Sequence, residues 1–358
     1  MSRGPINLTC AGAPMPDPRA ATTITVITSR HPINKRYVLQ SDGTLTKTAV
    51  AVITRGVAQS HIVKTHEDMV VVLTEVANSD NKCIVPGRWH GDDGTPFEIY
   101  SKRKLATILG VAEDAVPWGI VEHEGRRVAA RLEAGIDSSS WFLLDADSPL
   151  GMPTEWAAMD LDERLAAWEL FVPGISKACG VGLRSSSARV RKVGAPAHDW
   201  THLWLRGDDP ARIPLLRVHC EIEMVRHGWS FQSPKRSRTD GSVVGYATRG
   251  LFDTSVLHTG RIVFNARPDI SAAPGFVCDA ADIGIIEGAP VLDTSFAKMP
   301  DTGALRDYRE KTGVGLNIVI SKAGAISTIN RGLLTLDTEI EVKGVVKPLR
   351  DWIGGTKA

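Results

Sequence analysis

Two aspartates, Asp145 and Asp147, close the apolar run Trp141-Phe142-Leu143-Leu144. If that run is a strand, residues i and i+2 share a face and both carboxylates point the same way. Carboxylates held that close repel and raise each other's pKa unless a cation sits between them. Hard oxygen ligands suit Mg2+ or Mn2+, and such a pair can seat the two ions used in phosphoryl transfer. The same residues also fit a strand that ends in a polar turn, with Asp147-Ser148-Pro149 supplying the turn chemistry. Asp253 lies in Leu251-Phe252-Asp253-Thr254-Ser255-Val256, with apolar residues on both sides. It is either a third strand-end acid for the same metal site or a cap or turn aspartate.

Leu183–Lys192 holds four basic residues (Arg184, Arg189, Arg191, Lys192) and three serines with no acid. Serine hydroxyls, backbone N–H groups and guanidinium forks together make a phosphate cradle. Lys235-Arg236-Ser237-Arg238 is a second basic patch, and both patches also fit solvated loops. His202, in Trp200-Thr201-His202-Leu203-Trp204-Leu205, is an imidazole opening an apolar strand. It could bond a phosphate oxygen, move a proton, or serve as a hydrogen-bonded structural residue. His198 and His202 are spaced i, i+4, which shares a face only on a helix, so zinc is not expected there.

These residues need elements to hold them. Thr23–Thr28 alternates β-branched residues and reads as a strand, with Tyr37–Gln40 and Thr48–Ile53 continuing a small module. His66–Val76 fits strand or helix, and Ser101–Leu109 opens a basic helix. Trp141–Leu144 suits a buried central strand. Asp160 and Glu163 have capping-box spacing and predict a helix over 155–171. Thr201–Leu205 reads as a strand. Asp209-Pro210 opens a helix that runs to His227 and stops at Gly228. Trp229–Phe231, Ser242–Tyr246 and Arg261–Phe264 read as further strands, and the tail carries a helix near Ala304–Lys311 and a strand-like Gly332–Val342. The order predicts an α+β fold: an antiparallel-rich mixed sheet with helices on one face, plus a small N-terminal α/β module. Domains are expected at 1–105, 106–295 and 296–358, with residues 1–20 a loose leader.

The chain has 358 residues and a formal charge of +1, so nucleic-acid binding would need local basic patches rather than a global field. With 43% hydrophobic and 23% charged residues it is not a disordered sequence. Apolar runs such as Met69–Leu73 fall far short of the ~20 residues a membrane helix needs. No basic-then-apolar stretch follows Met1, so no signal peptide is expected. Five scattered cysteines without a CxxC pair argue against a disulfide scaffold. A soluble cytoplasmic protein with no membrane partner is the expectation.

An apolar strand ending in DxD, a serine-rich basic stretch, a strand carrying His-Leu-Trp, and an apolar-flanked Asp occur in that order. The series resembles the archaeo-eukaryotic primase superfamily, especially primase-polymerases of phages and plasmids, over about Trp141 to Pro290. The resemblance implies an RRM-like catalytic core in a bacterial host's cytoplasm. Asp145, Asp147 and Asp253 would be the catalytic ligands of two Mg2+ or Mn2+ ions, and His202 would contact the incoming nucleotide's phosphates. Ser185, Ser187 and Arg189 would help grip an NTP or dNTP, with Arg249 and Lys235 as helpers. Single-stranded DNA would lie along Arg184, Arg191, Arg236 and Arg238, with stacking on Trp200 or Trp229. Thr248-Arg249-Gly250-Leu251-Phe252-Asp253, followed by Ser255-Val256 and Arg261–Phe264, also looks like the phage subgroup. The implied activity is nucleotidyl transfer, a DNA primase or polymerase. Trp200 departs from the serine often found two residues before the motif histidine. No GxxxxGK[ST] occurs, so a helicase would be a separate partner. The rival expectations are a metal-dependent nuclease or replication initiator, and a non-catalytic DNA-binding replication factor; the initiator lacks the HxH pair it would need.

Overall fold

The computed structural model describes residues 22–49, 53–146, 148–237, 241–258, 260–320, 326–332, 339–342 and 345–348. Asp147, Arg238 and the expected leader 1–20 lie outside these residues, as does most of the expected strand-like stretch after Gly332. The fold is mixed α+β, built from mostly antiparallel sheets with few helices. No described helix is long and apolar enough to cross a membrane.

The N-terminal sheet has six strands in the order Lys82–Val85, Thr23–Ser29, Arg55–Ile62, Phe97–Tyr100, Arg126–Ala130, Ile120–His123. It continues past residue 105 to Ala130. Its one parallel pair, Phe97–Tyr100 with Arg126–Ala130, is joined through the helix Lys102–Leu109, since parallel neighbours need a crossover. His66–Ala77 is a helix. Thr65 and Asp68 form a reciprocal capping box, and Met69, Val72, Leu73 and Val76 recur at i, i+3, i+4, i+7 and are buried. The cap and the spacing settle the choice that the sequence alone leaves open.

The central sheet is four-stranded and antiparallel, in the order Trp141–Asp145, His202–Arg206, Gly180–Leu183, Gly284–Ile286. Alternation splits its side chains into two cores. Phe142, Leu144, Leu203 and Leu205 pack with Trp168, Phe171, Leu216 and Met224 from one side. Trp141, Leu143, Val181, Leu183 and Trp204 pack on the other side with Ile24, Met69, Leu73 and Val76. Helices thus cover both faces, not one as expected. A strand made wholly of apolar residues needs cover on both sides, at about 1.5–3 kcal/mol for each large side chain buried.

The expected helix over 155–171 is instead two, Thr154–Ala157 and Leu161–Trp168. Asp160 and Glu163 do form the capping box, so the second helix must start after Asp160. The Asp209 side chain caps a 3-10 turn, Pro210–Arg212, and the helix proper runs Ile213–Arg226. It ends before Gly228, whose positive φ of 77° a side chain would resist. Ser230–Arg236 and Val243–Gly250 form a hairpin. Arg261–Phe264, expected as a strand, makes only a single bridge from Val263 to Ile84. That bridge covers the outer edge of the N-terminal sheet, which would otherwise present unpaired backbone groups.

Candidate active site

Three chain segments meet at one end of the central sheet. Asp145 is the last residue of its strand, His202 the first of the next, and Leu183 the last of the third; Asp145 pairs with His202 and His202 with Leu183. Directly opposed residues share a face, and the carboxylate Oδ1 of Asp145 lies 3.2 Å from His202 Nε2. His202 is 5% exposed, and its Nδ1 is buried without a partner.

Asp253 arrives from the far side. Its N–H donates to the Asp145 carbonyl at 2.9 Å. The preceding Phe252 anchors it, with its ring 5.7 Å from Trp168 and 5.8 Å from Phe171. The Asp253 side chain caps the 3-10 turn Thr254–Leu257. Its Oδ1 accepts from Ser255 N at 2.9 Å and from Arg249 Nη1 at 3.3 Å. The cap expected as one alternative is therefore present. In both Asp145 and Asp253, Oδ2 carries no hydrogen bond or ion pair among the described residues.

A strand-end carboxylate and a turn-capping one, linked through their backbones and each with an unspent oxygen, are of the donor type a Mg2+ or Mn2+ ion accepts. Among the described residues no group of three or more His, Cys, Asp or Glu stands close enough to hold a metal. The third acid of the expected set, Asp147, lies outside those residues.

The serine-rich stretch follows the Gly180–Leu183 strand and so starts beside His202. Ser185 N–H donates to Thr201 Oγ1 at 3.1 Å, and its hydroxyl accepts from Ala188 N at 3.3 Å. Ser187 accepts from Lys35 Nζ at 2.6 Å. Arg189, 3% exposed, donates to the carbonyls of Ala77 and Asp279 at 2.8 and 3.0 Å. Against expectation, Ser187 and Arg189 fasten the turn to the strand Lys35–Leu39, to the helix His66–Ala77 and to Asp279 rather than forming an open cradle. An arginine taken out of water needs such partners.

The expected DNA-contact arginines are also engaged. Arg184 bonds Asp282 at 2.8 Å and the His198 carbonyl at 2.5 Å. Arg191 bonds Asp279 at 2.7 Å, and that guanidinium holds the Asp279 carboxyl below its ordinary range. Arg236 donates to Gly241 O at 3.0 Å within the hairpin. Lys235 is exposed on the same strand, on the order of 15 Å from Ser230 at the hairpin's base. Neither stands with the acids. Trp200 packs over the paired glycines Gly182 and Gly284, where a Cβ on Gly182 would come within 1.9 Å of its Cε3. Trp229 packs against Trp156 with the rings tilted 44° and their centroids 5.0 Å apart. Both rings expected to hold bases are occupied by the protein.

Sequence reasoning missed Glu221 and Arg217. Glu221 is 8% exposed, accepts from Arg217 Nε at 3.0 Å and from Thr254 Oγ1 at 3.1 Å, and leaves Oε2 without a partner. Burial pushes its carboxyl pKa up, against the pull of Arg217. Together with Thr248, Arg249, Asp253 and Ser255 these two residues line a cavity of about 210 Å3. The available signal was an i, i+4 charge pair within the mostly apolar Ile213–Arg226 helix.

Compared with models of known protein families, with curated proteins and with solved structures, the chain matches none.

Proposed function

We propose that the chain is a metal-dependent nucleotidyltransferase of the primase-polymerase kind, making or extending primers on single-stranded DNA from NTPs or dNTPs. Its catalytic core would then be RRM-like, of the archaeo-eukaryotic primase type. One observation carries it. Asp145, His202 and Asp253, far apart in sequence, converge at a single strand end with an unspent carboxylate oxygen on each acid.

Asp145 and Asp253, with Asp147, would hold the divalent ions. Bound ions would lower the pKa of the attacking 3′-hydroxyl and neutralise the leaving pyrophosphate. Asp145 orients the His202 ring through Nε2. His202 Nδ1, which has no partner in the protein, would be the ring atom that meets a phosphate oxygen. Arg249, 43% exposed at its side chain, holds Asp253 in position and keeps further N–H donors for phosphate. For the template we favour the hairpin, where Lys235, Arg236 and the 62% exposed Tyr246 combine cations with a stacking ring. Such a site acts by positioning and charge stabilisation, since phosphoryl transfer leaves the protein little covalent chemistry. A helicase would be a separate partner.

The test incubates the protein with single-stranded template, all four nucleotides and Mg2+ or Mn2+. New strand synthesis that Asp145→Ala abolishes is the expected result. Cleavage of the template would instead indicate a nuclease, and binding with neither reaction a non-catalytic replication factor.

A further inference from the structure

Three arginines from separate segments share a second cavity. Arg131 follows the end of the Arg126–Ala130 strand, Arg217 lies on the buried helix, and Arg261 follows Gly260. With Glu133, Ser255 and His258 they line a space of about 400 Å3. Arg131 Nη1 is fixed by the Gly260 carbonyl at 3.2 Å, and Arg217 Nε by Glu221. Arg261 carries no side-chain hydrogen bond or ion pair among the described residues and is exposed. Each guanidinium has five donors, so Arg131 and Arg217 keep most of theirs.

The charges do not cancel. Glu221 offsets Arg217, and Glu133 lies 3.1 Å from His258 Nε2, its carboxyl pKa raised by burial. The three guanidiniums still outnumber the two carboxylates, and Arg131 and Arg261 are neighbouring cations. Burial lowers the Arg131 pKa and the like charge of Arg261 adds to that, as expected where cations crowd. An anion with several oxygens relieves this strain, and arginine forks match phosphate bidentately.

The cavity also adjoins the one that Asp253 lines. Arg217 and Ser255 line both it and the cavity beside Asp253, and the Ser255 N–H is the group that Asp253 caps. A ligand can therefore span the 3-10 turn, with its reacting end beside Asp253 and its anionic end at the arginines. Three cations around one compact space suit a polyphosphate better than a strand, which needs a stripe of positive charge.

We propose that this arginine cavity holds the polyphosphate of a nucleotide, either incoming or at the 5′ end of the first one joined; the assignment to a nucleotide rests on the nucleotidyltransferase reading above. It would supply the cations that the Ser185–Arg189 turn spends on internal contacts.

The test titrates tripolyphosphate, without metal, into the full chain by calorimetry, alongside a single-stranded oligonucleotide. Arg261→Ala should weaken tripolyphosphate binding roughly tenfold or more, with DNA affinity and melting temperature unchanged, and Arg261→Lys should recover part of the loss. Asp145→Ala should bind tripolyphosphate as the parent does. Absence of binding by the parent chain, or equal binding by Arg261→Ala, overturns the proposal. So does a loss confined to DNA affinity, which would make the arginines a strand contact. Binding that depends on Arg261 in a protein that makes no strand would leave the anion cavity standing and remove the polymerase activity.

Discussion

Asp145 and His202 face each other as the last cross-strand pair of an antiparallel ladder, Oδ1 to Nε2 at 3.2 Å, with His202 Nδ1 buried and unpartnered. A histidine aimed this way has one nitrogen committed to orientation and one left over. If that nitrogen serves phosphate, His202→Ala should lower nucleotide incorporation about 100-fold or more while the chain stays folded. Steady-state incorporation on a primed template, beside a thermal melt, separates the effects. Incorporation within a few fold of the parent would make His202 a structural residue.

Arg189 is expected to matter for stability instead. Its guanidinium ties the serine turn to the carbonyls of Ala77 and Asp279 inside the protein. Arg189→Ala removes charged hydrogen bonds and strands buried acceptors, which should cost about 3 kcal/mol in urea unfolding. The nucleotide KM of the folded protein should not change. A raised KM at unchanged stability would return Arg189 to the phosphate site.

Trp200 sits where Gly182 and Gly284 leave no side chain, and a Cβ at Gly182 would collide with its ring. Gly182→Ala should therefore destabilise by roughly 1–3 kcal/mol. Adding Trp200→Ala should cost less than the sum of the two single changes, because the clash is gone. Additive costs in the double-mutant cycle would mean that the two residues do not share this contact.

Much of the frame could be read from residue patterns because its signals are local. The Trp141–Leu144 run, the Asp160/Glu163 box and the Asp209 cap each act within a few residues, and each forms its element. What was not legible depends on distant partners. Whether Arg189, Arg184 and Arg191 meet solvent or a protein oxygen is decided by the Ala77 carbonyl and the Asp282 and Asp279 carboxylates, far along the chain. The arginine cavity joins Arg131, Arg217 and Arg261 only through folding, so no spacing announces it. Arg261–Phe264 reads as a strand because Ile262 and Val263 are β-branched. Its single ladder step is set by the neighbouring sheet edge.

Glu221 predicts a pH signature. Burial holds its folded-state carboxyl pKa above the ordinary value, so the folded chain binds more protons in that window than the unfolded chain does. Stability from this group is then greatest below the ordinary carboxylate pKa and falls as pH rises through the raised one. Glu221→Gln should remove this slope. The stability of the variant relative to the parent should improve from acid to neutral pH in paired urea titrations. A difference that stays flat with pH would mean that the Glu221 carboxyl has the same pKa in the folded and unfolded chain.

The most direct measurement is primer extension on single-stranded template with Mg2+ or Mn2+, comparing the parent with Asp145→Ala and Asp253→Ala, each checked for folding and DNA affinity. The two acids lie at one strand end, joined by the Asp253 N–H to Asp145 carbonyl bond of 2.9 Å. Loss of synthesis in both variants, with DNA binding retained, is the predicted result. Synthesis that survives either substitution at the parent rate would contradict a shared metal site and the activity built on it.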